Sequence, residues 1–197
     1  RNGYLLYEIY ADQNRTPVVL STLPKFLIEA TIAIEDREFY SHQGFSIRGI
    51  LRSAKEIIFN HRLQGGSTIT QQLIRSAFLT PEPTLTRKFK ELLLSFWAEK
   101  LFTKNQILEM YFNQVPYGGT AWGAEAASQT YFGKAVKSLD LAEAAYLSGL
   151  PSAPSVFSPF GTNPQMGLIR QKEVLQRMLD DKKITPEQKK STETQKL

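Results

Sequence analysis

The stretch that constrains this chain most is residues 30–44, ATIAIEDREFYSHQG. Residues 27–34 are mainly apolar and fit a helix that enters a core. That run ends on two adjacent carboxylates, Glu35 and Asp36, and Phe39, His42 and Gly44 follow closely. A carboxylate at the end of a buried segment sits where solvent thins out, so its surroundings can set its proton affinity. The same pattern also describes an amphipathic helix end with solvated acids. Both readings stand on this stretch alone.

The rest of the chain reads as helices around it, and the expected class is mainly α. After an extended entry at 4–10 and a short strand at 18–20, the spacing of apolar residues predicts helices over 25–40, 45–60, 87–102, 104–113, 123–132, 139–149 and 164–181. The Gly-Gly turn at 65–66 and a Ser67-Thr68 cap open a further helix that runs to about residue 79. Thr86 and Asn163 are the expected caps of the helices that follow them, and Pro186 opens a last short one. In the 87–102 helix, Leu92, Leu93, Phe96, Trp97 and Leu101 are expected to form a wide buried face. Residues 104–113 are read as a structural helix carrying a buried polar network. Residues 151–164 are an irregular proline-rich loop, and the polar tail at 189–197 is expected to fray.

Charge and cysteine content exclude several functions. Basic residues outnumber acidic ones 24 to 19, which suits an anionic partner such as phosphate or lipid headgroups. No long single-sign block and no nucleic-acid motif accompany them, so no nucleic acid is expected. Cysteine is absent, which removes a disulfide framework, a thiol nucleophile and any thiolate zinc site. The only histidines are His42 and His61, too few for an all-histidine metal cage. No apolar run reaches the ~18–20 residues needed to span a bilayer. The chain opens without a signal peptide, and an N-terminal anchor is expected to lie outside it.

Two further stretches can carry chemistry. The turn at 65–66 leads through Ser67, Thr68, Gln71 and Gln72 to Arg75, and free N–H groups at such a helix start bind anions. Arg87 and Glu91 stand four residues apart with Lys88 beside them, and share a helix face. Acids at Glu35 and Glu91 with several cations suggest sugar chemistry with a phosphorylated leaving group, which needs a base and charge stabilisation. No Ser-x-x-Lys, nucleophile elbow or phosphate-binding P-loop occurs.

Together these stretches resemble the peptidoglycan glycosyltransferase domain of bifunctional penicillin-binding proteins and monofunctional transglycosylases, glycosyltransferase family 51. The matching residues are Glu35-Asp36 with Phe39, His42 and Gly44; 65–73, GGSTITQQL; Arg87-Lys88 with Glu91; Lys104 with Ile107, Leu108, Glu109, Tyr111 and Asn113; and residues 142–154. The resemblance covers most of the chain. It implies a single domain over 1–197 with a lysozyme-like fold, a large helical lobe plus a small membrane-facing lobe at about 45–63. It implies polymerisation of lipid II into glycan strands at the extracytoplasmic face of the bacterial cytoplasmic membrane. The partners it implies are lipid II, the growing lipid-linked glycan, the membrane surface and moenomycin-type inhibitors.

Carried over by position, Glu35 is the implied catalytic base and Glu91 the second essential acid. Asp36, Phe39, His42, Ser67, Thr68, Gln71, Gln72, Arg75, Arg87 and Lys88 are the implied substrate-binding residues. A divalent cation, Mg2+ or Mn2+, is implied near Glu91. Arg75 stands where the family usually has Lys, Ser76 where Asn or Asp is common, and Ala98-Glu99 where Leu-Glu is usual. Arginine keeps the charge of lysine and changes its geometry. The rivals to this reading are a lysozyme-like enzyme that cleaves the same glycan and a non-catalytic membrane-surface scaffold. Inverting hydrolases separate their acids by ~6.5–9.5 Å to admit a water. Glu35 and Glu91 are therefore expected to face one cleft at least that far apart.

Overall fold

A computed structural model describes residues 15–45, 66–80, 82, 84–161, 163–195 and 197. The entry at 4–10, the 45–60 helix with the small lobe at 45–63 beyond Phe45, His61 and Gly65 lie outside the described residues.

The described chain is mainly α, as expected. Helix α1 (Lys25–Glu35) buries Leu27, Ala30, Thr31 and Ala33. These small residues let it pack closely against α6 (Leu141–Gly149) and α8 (Gln165–Asp180). Thr31 and Ser148 share a hydrogen bond at 3.0 Å across the α1–α6 contact. Helix α2 (Ile69–Phe78) lies against α3 (Leu85–Leu101) and α4 (Lys104–Gln114). The main core joins these groups through Leu27, Phe39, Ile69, Ile107, Phe112 and Leu147. A short antiparallel pair, β1 (Pro116–Gly118) and β2 (Ala121–Trp122), follows α4. Helices α5 (Ala124–Phe132), α7 (Pro154–Phe157) and α9 (Pro186–Glu193) complete the described elements.

Several boundaries differ from expectation for identifiable reasons. Helix α1 stops at Glu35 instead of running to residue 40, because the Asp36 carboxylate turns away to meet His42 and the backbone N–H of Ile69. Helix α3 starts earlier, capped by Thr84 in place of Thr86: the Thr84 hydroxyl accepts from the Arg87 N–H at 3.1 Å. Pro164, with no side-chain cap bond, stands at the start of α8 in place of Asn163. Residues 18–20 do not pair as a strand. The side-chain amide of Asn113 supplies the partner instead, accepting from the Val18 N–H and donating to the Val18 carbonyl. The tail expected to fray from Lys189 is helical to Glu193, because Thr185 and Gln188 close a capping box on α9. A turn of helix, α7, lies inside the stretch read as an irregular loop.

The largest departure is in α3. Its buried residues are Glu91, Ser95 and Ala98, whereas Leu93 and Trp97 are half exposed and Leu101 is 73% exposed. The helix turns its polar edge into the fold and its apolar edge outward. Gly44 shows how closely that inner edge is approached. Gly44 has φ +85°, and a Cβ there would stand 2.8 Å from the Ser95 backbone. Its carbonyl also accepts the Thr68 hydroxyl at 2.8 Å. Gly44→Ala should therefore lower stability by about 1–3 kcal/mol, the usual cost of a non-glycine residue held in such a conformation. The urea unfolding midpoint checks this.

Candidate active site

Two clefts meet beside the end of α1. The first, about 320 Å³, is lined by Glu35, Ser67, Gln72, Arg75, Ser152 and Arg170 among others. The second, about 550 Å³, is lined by Gln72, Arg75, Arg87, Trp122 and Ser152 among others. Gln72, Arg75 and Ser152 belong to both, so the clefts adjoin along α2.

Glu35 occupies the first cleft with its side chain 4% exposed. Its Oε2 accepts from Gln72 Nε2 at 2.6 Å. Its Oε1 lies 3.6 Å from Arg170 Nη2 and has no hydrogen-bond partner among the described residues. Burial pushes the Glu35 carboxyl above its usual 4.5, against the opposing pull of Arg170, the Gln72 hydrogen bond and Arg75. The carboxyl is thus held toward the proton-accepting range, with Oε1 facing Arg170.

Glu91 is arranged differently. It is 0% exposed and absent from the described lining of either cleft. Lys88 Nζ holds its Oε1, and Arg87 Nη1 stands 3.9 Å from its Oε2. Lys88 also donates to Ser67 Oγ at 2.9 Å. Among the described residues Glu91 lines neither of these two clefts, so the two acids do not share either one, as the expectation would have had it. Glu91 reaches the clefts only through cations, because a carboxylate this deeply buried is stable only when paired. Its Oε2 has no hydrogen-bond partner among the described residues. Among the described residues no group of three His, Cys, Asp or Glu could hold a metal. The described residues around Glu91 thus offer no ligand set for the Mg2+ or Mn2+ expected there.

The other expected site residues divide into two sets. Ser67, Gln72, Arg75 and Arg87 line the clefts, and Lys88 is 40% exposed beside them. Asp36, Phe39, His42, Thr68 and Gln71, expected at the substrate, are absent from the described lining of both clefts. His42 Nε2 sits 2.9 and 2.8 Å from the two Asp36 oxygens. Phe39 is fully buried, with Lys104 Nζ 4.4 Å from its ring centroid. Thr68 and Gln71 form the capping box that starts α2. The polar groups of Thr68 and Gln71 fix the start of α2, the helix that presents Gln72.

Sequence reasoning missed Arg170, Glu99 and the contact of Tyr111. Arg170 comes from α8, far along the chain, where Arg170, Glu173 and Arg177 share one helix face and pair with one another. That spacing marks a charged helix face and carries no pointer to Glu35. Glu99 accepts from Lys104 Nζ and from Thr70 Oγ1, tying α2, α3 and α4 together. The network expected in residues 104–113 is present: Glu109 accepts from the Leu20 N–H, and Asn113 holds Val18.

A family model described as Transglycosylase matches residues 2–179. Penicillin-binding protein 1A of Escherichia coli (strain K12) is 46% identical over 189 residues, which cover 95% of this chain and 22% of that protein. Penicillin-binding protein 1A of Aquifex aeolicus (strain VF5) is 47% identical over 187 residues, covering 93% of this chain and 25% of that protein. The crystal structure of penicillin-binding protein 1A from Haemophilus influenzae superposes with a TM-score of 0.56 at 25% identity, covering 94% of this chain and 18% of that one. The chain thus spans a quarter or less of the length of these relatives.

The position of Glu35 has a consequence for stability. Its raised pKa means that the folded state holds a proton that the unfolded state has lost, across the window above 4.5. Stability should fall as pH rises through that window, and ionised Glu35 should cost stability above it. Glu35→Gln removes that cost. The variant should unfold at higher urea than the parent near neutral pH, and this advantage should vanish below pH 4.5. Urea midpoints measured on both sides of the window check this.

Proposed function

The chain belongs to the transglycosylase family, and on that premise we propose that it polymerises lipid II into β-1,4-linked glycan strands for the bacterial cell wall. One observation carries the reading: a buried carboxylate, Glu35, lines a cleft that also presents Arg75 and Arg170, and this cleft adjoins a second one holding Arg87.

The reaction is a displacement with inversion. Ionised Glu35 takes the proton of the acceptor's GlcNAc 4-hydroxyl, and that oxygen attacks the anomeric carbon of the donor's MurNAc. The bond from that carbon to the pyrophosphate breaks, and the lipid pyrophosphate leaves from the opposite face. Arg75, Arg87 and Lys88 offset the charge that gathers on the leaving group. Glu91 holds Lys88 and Arg87 in place and does not meet the sugar. Most of the acceleration comes from positioning and charge stabilisation, because a pyrophosphate already leaves well. No step is routed through Mg2+ or Mn2+.

The same reading puts the protein at the extracytoplasmic membrane surface, where its lipid-linked substrates lie. No described helix is long and apolar enough to cross a membrane. The outward apolar edge of α3, Leu85, Phe89, Leu93, Trp97 and Leu101, supports contact with lipid. Moenomycin-type inhibitors are expected to compete for the clefts.

A base contributes about 10²–10⁴-fold to such a step. Glu35→Gln should lose polymerisation by about that factor while still binding lipid II. Near-normal turnover of labelled lipid II by this variant would remove Glu35 from the role of base.

A further inference from the structure

Tyr111 lies in the middle of α4, fully buried, and the scheme above does not use it. Burial pushes its hydroxyl well above the usual 10, so the group stays neutral and needs an acceptor for its proton. It donates to Gln72 Oε1 at 3.3 Å. The other end of the same amide, Nε2, donates to Glu35 Oε2 at 2.6 Å. A primary amide has one accepting end and one donating end. With the accepting end taken by Tyr111, only the donating end remains for Glu35.

We propose that Tyr111 is a positioning residue for the transfer, its hydroxyl deciding which end of the Gln72 amide faces Glu35 and so keeping Glu35 in the ionised form. This rests on the reading of Glu35 as base. Turned over, the amide would present Oε1 to Glu35, and only a protonated carboxyl can donate to it. Amide orientation and the proton on Glu35 are therefore coupled.

The other groups near Glu35 do not discriminate between the two orientations. Arg170 from α8 and Arg75 from α2 favour the ionised carboxylate whichever way the amide is turned. Tyr117 from β1 is itself kept neutral by burial. Asp36 is engaged by His42. Glu173 and Arg177 line the same cleft and pair with each other, and Arg37 pairs with Asp181. Tyr111 alone among these touches the amide.

The test is the pH dependence of lipid II polymerisation for the parent, Tyr111→Phe, Gln72→Met and the double variant, with Glu35→Gln as control. Tyr111→Phe should move the rising limb to higher pH by about 0.4–1 unit, the worth of one hydrogen bond. The rate should fall about 3–10-fold below the limb and recover toward the parent above it. Gln72→Met should shift the limb the same way, and adding Tyr111→Phe to it should shift it no further. A Tyr111→Phe variant slowed equally at every pH, or an additional shift in the double variant, overturns the proposal. If Tyr111→Phe loses its fold, Gln72→Met decides, because an unmoved limb there breaks the coupling. An unmoved limb with an inactive Glu35→Gln overturns only the role of Tyr111. Near-normal turnover by Glu35→Gln overturns the base reading itself.

Discussion

Glu35 is caught between opposing demands, and the rest of the fold is arranged around that conflict. Burial at the end of α1 favours its neutral form, while Arg170, Arg75 and the Gln72 amide favour the ionised one. A carboxyl balanced in this way can take a proton and give it up again. The balance depends on elements from distant parts of the chain. Helix α1 carries the acid, α2 the amide and one arginine, and α8 the other arginine. The small residues of α1 and α6, with the Thr31–Ser148 bond between them, hold the acid-bearing helix where α8 can reach it.

Much of the wall exists to fix α2. The Asp36 carboxylate meets the N–H of Ile69, the Gly44 carbonyl accepts the Thr68 hydroxyl, and Lys104 joins the His42 carbonyl to Glu99. These bonds lock the start of α2 against the turn that follows Glu35, and they explain why residues expected to touch substrate are buried. A side chain can be essential to a site by spending its polar atoms on the backbone that presents the site.

Helical spacing was enough to locate most helices, since apolar residues recur at three and four along each. Boundaries were less legible where a tertiary contact overrode local preference, as when Asp36 ended α1 by bonding outside it. The inverted face of α3 shows a deeper limit. Its apolar residues lie at helical spacing, and periodicity cannot say whether such a stripe meets the core or another apolar medium. Only the buried Glu91, paired with Lys88 and Arg87, reveals which edge faces in. At the site, Glu35, Gln72, Arg75 and Arg87 were legible because each sits in a short motif. Arg170 was not, because its partner is more than a hundred residues away and nothing local distinguishes it from an ordinary charged helix face.

A raised carboxyl pKa suits a glycan-cleaving acid as well as a transferase base, so Glu35 by itself does not choose between them. The proposed transfer rests on the cations: Arg75, Arg87, Lys88 and Arg170 gather around clefts where a hydrolase would have no pyrophosphate to stabilise. The most direct measurement offers the wild-type chain lipid II in one reaction and finished glycan strands in another, and follows undecaprenyl pyrophosphate release and strand length. The account predicts that lipid II is consumed, with one pyrophosphate carrier released for each disaccharide joined, while the finished strands keep their length. Shortened strands with lipid II left intact would contradict it.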